Sequence, residues 1–120
     1  MIVLETFPSA LVQVADYFKV LSEVSRLQIL CCLKSGSKNV TEIIELTGLG
    51  QANVSKHLKI LSGAGVVKRK PQGSNVFYEI SDPMIFKLCE LVCQSLSVRL
   101  EEQENRLKQL EALRQNSTTA

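Results

Sequence analysis

Glycines at 48 and 50 leave the segment from Thr41 to Leu61 few ways to fold. Thr41–Leu46 and Gln51–Leu61 each repeat apolar residues at helical spacing. Gly48-Leu49-Gly50 between them has room only for a tight turn, so the two short helices form a helix-turn-helix. Ile43, Ile44, Leu46, Leu49, Val54, Leu58 and Leu61 are its expected core, and Gly63 and Gly65 stop the second helix. Two β-prone runs follow at once, Val66–Lys70 and Val76–Ile80. The residues between them, Pro71-Gln72-Gly73-Ser74-Asn75, predict a hairpin with a five-residue connection. A basic hairpin placed directly after a helix-turn-helix is a winged helix.

The flanks are helical. A first helix is expected from Pro8, with Leu11, Val14, Ala15, Phe18 and Val20 at three- and four-residue spacing and a break near Ser22. The next, Glu23–Leu33, is apolar on more than one side, as in a helix buried mid-domain, and Ser35-Gly36-Ser37 ends it. Asp82-Pro83 suits a further helix start, an N-cap followed by proline at the first helical position. From there Ile85, Cys89, Val92, Cys93, Leu96, Leu100, Leu107 and Leu110 keep near-heptad spacing toward about Arg114, and Asn116–Ala120 is expected to fray. A helix of about 30 residues is too long for a small domain to cover and calls for a second copy of the chain. The expected fold class is mainly α with a small β-hairpin, in the order α-α-α-α-β-β-α, dimeric through the first and last helices. With 120 residues the length suits one domain over 1–120, with the helix-turn-helix at about 40–62, the wing at about 66–80 and the last helix at about 83–114.

Charge distribution says more than the net charge of +2. From Leu46 to Tyr78 there are Lys56, Lys59, Lys68, Arg69 and Lys70, with His57, and all 12 acids lie elsewhere. A local cationic field of this kind is what phosphate neutralisation needs. The second helix adds Gln51, Asn53 and Ser55 near its start, and the hairpin adds Gln72 and Asn75, side chains able to bond base edges or backbone. The expected partner is a double-stranded DNA operator. The rival reading is an interaction module that pairs through its last helix without DNA, and the acid-free window argues against it.

Other classes have little support. No glycine-rich phosphate loop and no Cys-x-x-Cys is present, so an enzyme is not expected. No apolar run approaches a membrane span, and MIVLETFPSALVQVADYF lacks the basic start of a signal peptide, so a cytoplasmic protein is expected. Four cysteines in a reducing compartment then serve packing, metal ligation or redox sensing rather than structural disulfides.

The segments YFKVLSEVSRLQILCCLKSG, VTEIIELTGLGQANVSKHLKILSGAGVVKRK and SNVFYEISDP, within about residues 15–97, resemble the ArsR family of winged-helix metal, metalloid and redox sensors. The resemblance implies a homodimeric repressor released from its operator by a small inducer. Some members hold metal through Cys-x-Cys near the start of the first motif helix, where this chain has Lys38–Ile43 without cysteine. Others bind zinc on the last helix through Asp, His, His and Glu. Only Asp82 matches, with Met84, Ser95 and Val98 at the other places, so no resident metal or cofactor is expected.

The thiols are the remaining candidates for sensing. By helical geometry Cys31 and Cys32 point about 100° apart. Cys31 falls with Val20, Val24 and Leu27 in the main apolar stripe, Cys32 at its edge, while Cys89 and Cys93 share one face. A redox branch of the family resembles this arrangement, and that implies linkage of Cys31 to Cys93 by a disulfide or polysulfide in response to reactive sulfur species. Cys93 stands about one turn earlier than the branch's pattern. The alternative is trivalent arsenic or another soft metal held by three thiolates, Cys89, Cys93 and one of Cys31 and Cys32. The plainest reading makes all four small core residues, and Cys32 the first to be a bystander.

Overall fold

The computed structural model describes residues 7–118. The elements are α1 (Phe7–Leu21), α2 (Val24–Cys32), a 3-10 turn (Leu33–Ser35), β1 (Lys38–Asn39), α3 (Val40–Thr47), α4 (Gln51–Gly63), β2 (Val67–Gln72), β3 (Asn75–Ile80) and α5 (Met84–Thr118). The chain divides after Asp82 into two compact units, α1 to β3 and α5.

In the first unit α2 packs on both α3 and α4. Ile29, Leu30 and Leu33 meet Ile43 of α3 and Val54, Leu58 and Leu61 of α4 in a core that continues to Val66 and Val67 at the foot of β2. α3 is closed at both ends. Asn39 Oδ1 accepts from the Glu42 amide at 2.8 Å while Glu42 Oε1 accepts from the Asn39 amide at 3.0 Å, a reciprocal capping box. Gly48, at φ 74°, ends the helix in the left-handed region, where a side chain is strained.

Several expectations need correction. Leu46 is 61% exposed rather than core, and Leu49 is only half-buried. α2 buries one face alone: the stripe of Val24, Leu27 and Cys31 is exposed, because the core lies on the Ile29–Leu30 side. The hairpin connection is shorter than five residues. β2 pairs with β3 from Val67↔Ile80 out to Gln72↔Asn75, leaving Gly73 and Ser74 as the turn. Gly73 has φ 63°, and among the described residues only glycines take positive φ, so the connection is as in a type II′ turn. Pro71 is tolerated in β2 because the strand order β1-β3-β2 leaves β2 at the edge. The third strand, β1, was not expected; it pairs Lys38 with Tyr78 and Asn39 with Phe77.

The second unit is the single helix α5, 35 residues long and so about 52 Å from end to end. It starts at Met84 and continues to Thr118, past the expected stop near Arg114 and through most of the tail expected to fray; residues 119–120 lie outside the described part. From Leu91 to Asn116 every residue is exposed, Leu96, Leu100, Leu107 and Leu110 among them. α1 likewise leaves Leu11, Val12, Val14 and Phe18 at least half exposed. No described helix is long and apolar enough to cross a membrane.

Candidate nucleic-acid interface

Gly50 is the N-cap of α4, and its extended backbone (φ −71°, ψ 156°) turns the chain out of the three-residue link after α3. Val54, His57, Leu58 and Leu61 form its buried stripe. At 100° per residue the opposite face is then Ala52, Lys56 and Lys59, with Asn53 and Ser55 at its margins and Gln51 at the leading turn. All of these are exposed, and among the described residues Lys56 and Lys59 have no acidic partner. Ala52 was not among the expected contacts; the geometry of the stripe identifies it, since a small apolar residue on this face suits a thymine methyl group.

His57 was expected on the DNA face and is instead 7% exposed. Its place between Val54 and Leu58 at core spacing was the available sign. The ring faces the α1–α2 junction: Nδ1 lies 3.4 Å from Arg26 Nη1, and Nε2 lies 3.2 Å from Glu23 Oε2.

On the wing Lys68, Arg69, Lys70, Gln72 and Asn75 are all exposed. Lys70 is partly neutralised by Glu79, Nζ to Oε1 2.8 Å, a diagonal pair across the hairpin. Glu79 stands just beyond the acid-free window. Among the described residues Lys68 and Arg69 have no acidic partner. Together the outward face of α4 and the wing present hydrogen-bonding side chains at a helix N-terminus, flanked by four positive charges without an acidic partner among the described residues.

The expected sensor thiols lie on α2 and on α5. Cys31 is exposed and Cys32 half-buried, and both line a groove of about 370 Å³ with Val24, Leu27, Gln28, Leu46 and Thr47. Burial, and secondarily the charge of Cys31, push the Cys32 thiol above its ordinary pKa, against a smaller opposite pull from Lys38. Cys89 is half-buried and Cys93 exposed, one turn apart on α5.

Helix-turn-helix, wing and cationic reading face together define a winged-helix DNA-binding protein. Residues 23–69 match the model for "Bacterial regulatory protein, arsR family". The regulator Rv0081 of Mycobacterium tuberculosis is 33% identical over 99 residues, covering 82% of this chain and 87% of that protein. Its crystal structure superposes with a TM-score of 0.69 at 31% identity, covering 74% of this chain and 90% of the other. The homodimeric winged helix-turn-helix DNA-binding domain of Mb0332 from Mycobacterium bovis gives a TM-score of 0.70 at 32% identity, over 79% and 88%. A probable mercury resistance operon repressor of Streptomyces lividans is 31% identical over 77 residues, 64% of this chain and 62% of that protein. The chain belongs to the arsR family of bacterial regulatory proteins, and its family and structural neighbours are DNA-binding transcriptional regulators.

Proposed function

We propose that the chain is a cytoplasmic, homodimeric transcriptional repressor whose hold on a roughly palindromic operator is released by thiol chemistry at Cys31 and Cys93. The DNA part is carried by the outward face of α4, where Gln51, Asn53, Ser55, Lys56 and Lys59 stand exposed above a buried stripe. Dimerisation is supported by the uncovered apolar residues of α1 and α5 and by the homodimeric relative. Two copies then set their recognition helices roughly 34–36 Å apart, one turn of duplex.

The sensing part is supported by Cys31, an exposed thiol in an apolar groove on the helix that packs against both α3 and α4. In the redox reaction two thiols lose two protons and two electrons and form a disulfide. A polysulfide accepts them, is shortened by one sulfur and releases hydrogen sulfide. Trivalent arsenic or another soft metal is the alternative inducer; the mercury-repressor relative favours keeping it in view.

The test is release from a duplex selected from a random pool by the protein itself, followed by gel shift. Wild type treated with polysulfide is expected to release and to lose two mass units per disulfide. Cys31→Ser and Cys93→Ser are expected to stay bound. Release by arsenite alone, with a mass gain, would move the assignment to metalloid sensing. Unchanged release by both variants would remove these thiols from the mechanism.

A further inference from the structure

The Arg26 side chain joins three helices. Its Nε donates to the Val20 carbonyl and Nη2 to the Lys19 carbonyl at 3.4 Å, the latter also accepting from the amide and hydroxyl of Ser22 at the end of α1. From α2 it reaches across to α4, Nη1 lying 3.4 Å from His57 Nδ1 and 3.9 Å from Glu23 Oε2. Glu23 is the N-cap of α2, its Oε1 accepting from the Ser25 amide at 3.3 Å. Its second oxygen, Oε2, is buried with no hydrogen-bond partner and faces His57 Nε2 at 3.2 Å. A guanidinium donor at Nδ1 and a carboxylate at Nε2 suit the ring orientation in which Nδ1 accepts and Nε2 carries a hydrogen. The side chains of Arg26 and His57 are 13% and 9% exposed, so these polar contacts are directional and costly to leave unmade.

The structure assigns to His57 the role of a positioning residue that sets the recognition helix against the α1–α2 junction through Arg26 and Glu23. The other buried residues of α4, Val54, Leu58 and Leu61, are apolar and make no directional contact of this kind. A turn of α4 about its axis moves Asn53, Ser55 and Lys56 off their base steps while leaving the total positive charge unchanged. His57 thus governs discrimination between sequences, and the exposed lysines govern attraction to any duplex.

This assignment rests on the DNA-binding reading, and one experiment separates the two. Affinity is measured for the self-selected duplex and for calf-thymus DNA across a salt series, with the folded fraction fixed by circular dichroism. Wild type that bound neither DNA would defeat the DNA reading itself. With wild type binding, folded His57→Leu is expected to lose about tenfold on the selected duplex. It should keep calf-thymus affinity and an unchanged slope of log affinity against log salt. His57→Gln, which retains an acceptor and a donor, is expected to recover most of the loss. Glu23→Gln keeps the acceptor for Ser25, removes the charge facing the ring, and is expected to shift affinity in the same sense if His57→Leu does not fold. A salt slope lowered by about one unit would instead make His57 a phosphate contact. Wild-type affinity in the folded variants would reduce the cluster to packing.

Discussion

On the surface of α2 two adjacent thiols meet different surroundings: Cys31 is exposed, and Cys32 is half-buried with its thiol pushed up by burial and by Cys31. The thiolate is the reacting form, so at any given pH Cys32 offers less of it than an unperturbed cysteine. Iodoacetamide is therefore expected to label Cys31 before Cys32 near neutral pH. The Cys32 rate should go on climbing with pH beyond the point where a free thiol levels off. Peptide mass mapping of a pH series checks this, and equal labelling throughout would contradict it. The same pair shows what residue type alone conceals. The stripe through Val24, Leu27 and Cys31 has the periodicity of a core face, yet within one chain it is an open groove wall. His57 errs in the other direction, an ionisable side chain read by its type as a DNA contact and placed by its spacing among Val54, Leu58 and Leu61.

Among the elements, the tight link between α3 and α4 has a definite stereochemical cost attached to it. Gly48 sits at φ 74°, with open space where a Cβ would stand, so Gly48→Ala tests backbone strain and not crowding. The variant is expected to lose about 1 kcal/mol of stability, measured by urea unfolding, with an unchanged m-value. This turn was legible in the sequence because glycine spacing reports backbone conformation directly. The wing was legible too, and its connection was not: Pro71 reads as a strand breaker, but β2 is an edge strand on which a missing donor costs nothing. β1 escaped notice for a different reason. Lys38 and Asn39 are two residues without periodicity, and only the partner strand β3 makes them a strand.

For the whole molecule, the apolar surface left by a single chain is the main unbalanced quantity. α5 carries Leu96, Leu100, Leu107 and Leu110 at 50–63% exposure, a seam that a second copy would cover. Leu100→Asp with Leu107→Asp is expected to shift sedimentation toward monomer, to lower helical ellipticity, and to weaken operator binding with loss of the two-half-site footprint. A fully dimeric double variant would place the pairing surface elsewhere, with α1 the next candidate.

Asn39 belongs to two structures at once, its backbone in β1 opposite Phe77 and its side chain closing the first turn of α3. The hairpin is thus set like a blade whose tang runs into the handle. Phe77 is two residues from the tip end of β3, so the tip at Gly73 stands about 10–13 Å from that root. A tilt of about 10° at the root sweeps the tip through about 2 Å, more than half the rise of about 3.4 Å per base pair. Small reorientations of the reading head therefore arrive magnified at the flank of the duplex.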